Sequence, residues 1–389
     1  MIECSQDHGF SAQARHFLGR GRAVCMVALL VVGFALLGAT QATAQVQRLE
    51  TQRLQDAAWL NREMVSLSAG GAFGDRILAK GPWMFVQSYA EVHPRTPIRK
   101  SGVLYVYRRT PGGFVPQQLV ASPWPVDFLS WSLKAVDAHD LFVGDPRFSG
   151  LTAFSGGVQV FSEIDGVWSF SQHIECPRPL STRFFGSSVA MSGDDLLVAA
   201  REGSVSSPQW TYFQFSRGQH GWEFSGNELW IPPSLPGFIF GSGRLSGDLF
   251  VCQVVFPGSS TASRRNGVAI FRRQQGRFQF EAVLFRPDPI PGGQDQFGHT
   301  GLDLDGDWIA VGSNPLTPFA SPQPGKVYLY QNQPSGSSNW NLVQVLLAPN
   351  APTSPPEVDE FGEFVEIEGD RLVVTASLSR YGPQNQMLG

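Results

Sequence analysis

The densest run of side chains able to do chemistry is Asp303-Leu304-Asp305-Gly306-Asp307. Closely spaced carboxylates are calcium-ligand material, but calcium takes six to eight oxygens from a loop able to wrap it. Here the acids alternate with leucine, as on a strand, and then enter a two-residue Gly-Asp turn. Asp303, Asp305 and Asp307 are therefore only weak metal candidates. The preferred reading is a hairpin turn with a capping aspartate.

Other constellations are thinner. Past the N-terminal segment the histidines are His93, His139, His173, His220 and His299, each in a different part of the chain and none at metal-ligand spacing from another. Gly241-Ser242-Gly243 lacks the Gly-x-Ser-x-Gly spacing of a nucleophile elbow. It also lacks the following helix that a phosphate-binding glycine loop requires. Cys176 and Cys252 do not make a disulfide framework, although an oxidising compartment would permit a bridge between them. Carboxylates from distant segments could still converge as an acid and base pair, but no pair is singled out. No catalytic residue and no cofactor is assigned, and a non-enzyme is expected.

The elements that would position any such residues are repeated. Phe-Gly recurs as Phe73-Gly74, Phe185-Gly186, Phe240-Gly241, Phe297-Gly298 and Phe361-Gly362, with a degenerate copy at Phe128-Leu129; successive phenylalanines are 55, 57, 55, 57 and 64 residues apart. A tight turn follows each: Gly193-Asp194, Gly247-Asp248, Gly306-Asp307 and Gly369-Asp370, with Gly81-Pro82 and His139-Asp140 in the first two copies. Glycine and aspartate tolerate the positive φ that short hairpins need. A short apolar run such as Leu196-Leu197-Val198-Ala199 comes next, then a glycine with alternating aliphatic and aromatic residues, as in Gly267 to Phe271. An aromatic residue then opens a period-two strand, as in Trp340 to Leu346. Four strands per repeat, with the inner ones most apolar, predict an all-β fold: a β-propeller of four-stranded antiparallel blades. The repeats span 67–122, 123–180, 181–235, 236–290, 291–351 and 352–389, the last incomplete, and residues 45–66 form a linker or a ring-closing segment.

Phe185-Gly186 followed by Ser-Ser-Val-Ala-Met-Ser-Gly193-Asp194, Leu-Leu-Val-Ala-Ala and the later aromatic strands resembles the FG-GAP repeat. The likeness is to its bacterial secreted form, related to the integrin α-chain propeller. It covers roughly residues 67–389. The resemblance implies a propeller, an extracellular setting and a role in binding or adhesion. The family's calcium loop is not carried over, because the nearest match, at Asp303 to Asp307, departs from it.

The N-terminus has the three parts of a secretory signal: Arg15, Arg20 and Arg22, an apolar run from Ala23 to Leu37, and Ala42-Thr43-Ala44. Residues 1–44 are read as that signal, cleaved after Ala44 or retained as an uncleaved anchor. The remainder is expected to be secreted, periplasmic or at the cell surface. With 389 residues, 16% charged side chains and a net charge of −4, the chain has no basic face for nucleic acid. The expected function is a non-enzymatic propeller binding protein or glycan through loops on one face. The alternatives are a polysaccharide-acting hydrolase or lyase, and a structural repeat from a longer surface protein.

Overall fold

Phenylalanines that open successive repeats are buried because each drops into the core shared by its own blade and the one before it: Phe185 and Phe297 are fully buried and Phe361 nearly so. The glycine that follows has a different task. In the computed structural model Gly186 and Gly362 adopt φ of +89° and +88°, and their carbonyls lie against the backbone of the preceding blade. A Cβ on Gly144 would sit 2.0 Å from Gly186 O, and one on Gly312 would sit 1.9 Å from Gly362 O. The Phe-Gly pair thus anchors one blade and lets it meet the last backbone to backbone.

The structure describes residues 30–33 and 73–376, except for 89–91, 94–95, 101–102, 124–131, 138, 203–208, 230–237, 257–264, 289–295, 300, 314–323, 334–339 and 349–360. The degenerate Phe128-Leu129 and residues 45–66 lie outside the described residues. So do residues 257–264 and 314–323, which make up most of two of the loops from which a binding face was expected.

Five four-stranded antiparallel blades follow one another. The first comprises β2 (Phe73–Lys80), β3 (Trp83–Ser88), β6 (Val103–Thr110) and β7 (Gly113–Val120), with the small pair β4 (Val92–His93) and β5 (Thr96–Lys100) inserted after its second strand. The second comprises β8 (Ser132–Val136), β9 (Asp140–Asp145), β10 (Gly157–Ile164) and β11 (Val167–Glu175). The third comprises β13 (Val189–Ser192), β14 (Asp195–Glu202), β15 (Gln209–Gly218) and β16 (Gly221–Leu229), with the short β12 (Thr182–Arg183) on β14. The fourth runs β17 (Phe238–Ser246), β18 (Leu249–Phe256), β19 (Arg265–Gln274) and β20 (Arg277–Phe285), joined to the third through Trp210 and Ile239. The fifth runs β21 (Leu302–Asp305), β22 (Trp308–Ser313), β23 (Lys326–Asn332) and β24 (Trp340–Leu347). A sixth unit supplies β25 (Phe361–Glu368) and β26 (Arg371–Ala376), and β1 (Leu30–Gly33) pairs antiparallel with β26. That segment belongs to the apolar run read as a signal.

The Gly-Asp hairpins are built as expected. Gly193, Gly247, Gly306 and Gly369 have φ between +53° and +59°, with glycine first of the two loop residues, the arrangement of a type II′ turn. Core clusters straddle blade boundaries. One joins Phe142 and Val158 of the second blade to Leu196 and Phe213 of the third. Another joins Val251 and Ile270 of the fourth to Leu304 and Val311 of the fifth. Each blade covers its neighbour, so the apolar second and third strands are buried on both faces. Cys176 is buried against the Thr182 hydroxyl, and Cys252 is fully buried; both are free thiols.

Candidate active site at the propeller axis

The first strand of each blade faces the centre of the ring. Strands β8, β13, β17, β21 and β25 lie side by side in that order, with β2 beside β8. Lys80 Nζ and Glu368 Oε1, 3.9 Å apart, span the boundary between the sixth unit and the first blade. The turn glycines put these strands in register. The residue just before the turn is Ser192, Ser246, Asp305 or Glu368. Three of them grip the next blade: Ser192 Oγ accepts the Gly247 N–H at 2.9 Å, Ser246 Oγ the Gly306 N–H at 3.1 Å, and Asp305 Oδ2 the Gly369 N–H at 2.7 Å. These are blade-to-blade latches on amides that would otherwise have no chain partner.

Three residues before the turn glycine stand Ala190, Arg244, Asp303 and Glu366. Period-two geometry puts this position on the same face of its strand as the latch residue. Asp303 is nearly buried. Its Oδ1 accepts Arg244 Nε at 3.2 Å and its Oδ2 accepts the Ile367 N–H at 2.8 Å. Burial pushes its carboxyl above the usual range, against the pull of Arg244 and the backbone donors. Glu366 keeps solvent access but is flanked by protein. Burial, and then the charge of Asp303, raise its carboxyl, while Arg244 and Lys80 work the other way. Among the described residues Glu366 accepts no hydrogen bond.

The structure therefore assigns the acidic run differently from a metal loop. Asp303 pairs with Arg244 and the sixth unit's backbone, and Asp305 is a latch. Asp307 sits in the hairpin, where its carbonyl accepts the Asn332 N–H at 2.9 Å. Among the described residues no group of three His, Cys, Asp or Glu is placed to hold a metal. The turn residues Asp194 and Asp248 reach arginines of their own blades, Arg217 and Arg273, at 3.4 and 3.6 Å. Asp370 lies 4.0 Å from Arg371. Of Phe73, Gly74, Phe240 and Gly241 only the backbone is described, and it lies in β2 and β17. Gly298 follows its buried phenylalanine at φ +72°.

A second charged group is structural. Arg286 is buried, donates to Ser313 Oγ and pairs with Asp288. Burial alone would raise the Asp288 carboxyl, but hydrogen bonds from Arg286, Lys326 and Tyr328 prevail and hold it well below the usual carboxylate range.

No family model matches the sequence. No curated protein matches it. The solved structures it resembles include glycoside hydrolases. The GH93 α-L-arabinofuranosidase of Fusarium graminearum, in complex with arabinobiose, aligns at 11% identity and a TM-score of 0.40 over 76% of this chain and 89% of its own. A thermostable family-43 glycoside hydrolase aligns at 11% identity and 0.37 over 71% and 94%. The α-L-arabinofuranosidase PaAbf62A of Podospora anserina aligns at 9% and 0.34 over 67% and 89%. Identities and scores this low assign no reaction to the chain.

The expectation of a non-enzymatic binding or adhesion module is nevertheless corrected. The described fold brings together a carboxyl pair that the sequence reading did not single out. Asp303 and Glu366 are 63 residues apart and meet only because their strands are adjacent in the ring. Counting back from each turn glycine is the signal that would have found them.

Proposed function

We propose that the chain is a carbohydrate-acting propeller enzyme working at the mouth of its axial channel. The observation that carries this reading is the Asp303 and Glu366 pair beside Arg244. Asp303 has a guanidinium N–H on one oxygen and a backbone N–H on the other, so it is the member better able to keep its charge. Glu366 reaches solvent without such donors, so it holds its proton to higher pH. Two carboxyls set apart in this way are the requirement for general-acid cleavage of a glycosidic bond. Glu366 would deliver a proton to the leaving oxygen. The Asp303 carboxylate would stabilise the positive charge developing on the sugar.

Bond cleavage here is a hydrolysis: the glycosidic C–O bond breaks, water adds across it, and Glu366 recovers its proton. Secretion to where polysaccharide is met is part of the same proposal, supported by the N-terminal basic and apolar pattern. Among the described residues no helix is long and apolar enough to cross a membrane.

The test is reducing-end release from a panel of neutral and acidic polysaccharides by the purified chain. Activity on at least one, lost by about a hundredfold or more in Glu366→Gln, supports the assignment. No release from any of them, or release unchanged in Glu366→Gln, overturns it.

A further inference from the structure

A clamp ties the outer strands of neighbouring blades at the first two boundaries, and it is missing at the next two. Between the first and second blades, Gln118 Nε2 donates to Trp168 O at 2.6 Å and Gln118 Oε1 accepts the Trp168 N–H at 2.9 Å. Between the second and third, Gln172 makes the same two bonds to Trp222, both at 2.8 Å. A primary carboxamide suits this task because its C=O and one N–H point the same way and match the two backbone groups of a single residue. Each of these glutamines follows a one-residue bulge and sits opposite a valine, Val106 or Val160.

At the boundary between the third and fourth blades the residue in that register is Asn227, opposite Gln214. It is one methylene shorter, and the bulge before it has grown to two residues, Ser225 and Gly226, the latter at φ +79°. Among the described residues the Asn227 side chain makes no hydrogen bond. The residue awaiting the clamp is Phe278, which pairs with Arg273 as Trp222 pairs with Arg217. Flanking a two-residue hairpin one step further out, Phe278 points its own N–H and C=O away from β19, toward β16. A groove of about 320 Å³ lies there, lined by Gln214, Gly226, Asn227, Glu228, Arg277 and Phe278, among others. Gln214 is buried, and although its Nε2 donates to Asp195 and Gly276 O, its Oε1 accepts nothing. At the next boundary Ala282 fills the clamp position, and Trp340 turns its indole N–H to Glu281 instead.

We propose that this groove binds a ligand carrying a primary carboxamide, a glutamine side chain presented either by the free amino acid or by a peptide. The ligand's carboxamide would occupy the place that Gln118 and Gln172 fill elsewhere in the ring, bonding the Phe278 backbone. The volume is at the lower end for small-molecule sites and accommodates an amino acid. The site is separate from the axial carboxyls and stands or falls without them.

The experiment is calorimetric titration of the purified full chain with L-glutamine and with a capped glutaminyl tripeptide, each against its glutamate counterpart. The glutamate side chain at neutral pH has no N–H to give Phe278 O, so the glutamate counterparts should bind about tenfold more weakly or worse. Asn227→Gln places the chain's own carboxamide in the groove. It should weaken glutamine binding by about tenfold while leaving the melting temperature unchanged or higher. Binding of the free amino acid alone, of the peptide alone, or of both supports the site and names the source. Equal binding of glutamine and glutamate compounds, or no binding of either glutamine probe at about 10 mM, overturns it. So does undiminished affinity in a folded Asn227→Gln chain. The discrimination between glutamine and glutamate by the natural chain decides the matter if the variant does not fold.

Discussion

Gly369 donates its backbone N–H to Asp305 Oδ2 at 2.7 Å, across the boundary between the fifth blade and the sixth unit. The same bond is made to Ser246 and Ser192 at the two boundaries before it. In each case an acceptor on one inner strand secures the hairpin of the next. Asp305→Ala should lower the unfolding free energy by about 2 kcal/mol, and Ser246→Ala by about 1 kcal/mol, because a hydrogen bond to a charged acceptor contributes more. Urea denaturation of the two variants measures both; an equal or reversed order would remove the latch from the account.

Gly312 is where two blades meet most closely. A Cβ there would lie 1.9 Å from Gly362 O and 3.1 Å from the Gly301 Cα, all backbone atoms that cannot rotate away. Gly312→Ala should cost about 3 kcal/mol or more. Gly193→Ala, whose Cβ meets nothing within 4 Å but whose φ is +58°, should cost about 1 kcal/mol. Thermal melts of the pair separate steric conflict from backbone strain.

Asp140 is buried and takes hydrogen bonds from Trp222 Nε1 at 3.0 Å and Ser162 Oγ at 2.6 Å, with Arg217 Nη1 at 2.9 Å. It ties the second blade to the third. Asp140→Ala leaves the arginine and the indole without this partner and should destabilise by about 3 kcal/mol. A loss below that of a surface substitution would show that Asp137 and Asp194 replace it.

His173 packs edge-on to Phe148 with ring centroids 4.5 Å apart. Burial lowers its pKa, and the Glu175 charge offsets this only in part. The unfolded chain therefore takes up a proton near the ordinary value of 6.5 while the folded chain still resists it. The natural chain should lose stability relative to His173→Gln as pH falls from about 6.5 toward 5. Parallel denaturation curves across that range check the sign.

Glu366 behaves the opposite way. Its raised carboxyl makes the fold favour the protonated form, so its contribution is most favourable at low pH and declines as pH rises above the ordinary carboxyl range. Glu366→Gln should gain stability relative to the natural chain between about pH 4.5 and 7. A pH-independent difference would mean that Glu366 is not enclosed at the channel.

The repeat was legible because Phe-Gly and Gly-Asp obey backbone demands that few other residues meet. Gly186 and Gly362 must have no Cβ where blades touch, and Gly193 and its counterparts must take positive φ. The latches were not legible, since Ser192, Ser246 and Asp305 share only an acceptor oxygen. Asp303 read as part of a turn because its true partners, Arg244 and Ile367, are about 60 residues away in either direction and arrive through ring geometry. The Gln118 and Gln172 clamps are likewise invisible until the bulges fix which side chain points at the next blade.

On the fifth blade's outer strand Leu342, Val343, Val345 and Leu347 are exposed. The corresponding strands of earlier blades have neighbours to lie against. Among the described residues the sixth unit adds only two strands of its own, joined to the first blade's inner strand by one long ion pair, Lys80 with Glu368. Among the described residues the joint between the sixth unit and the first blade is thus the sparsest in the ring. Local opening should begin between the sixth unit and the first blade, and amide exchange there should report a lower free energy than anywhere between the second and fifth blades.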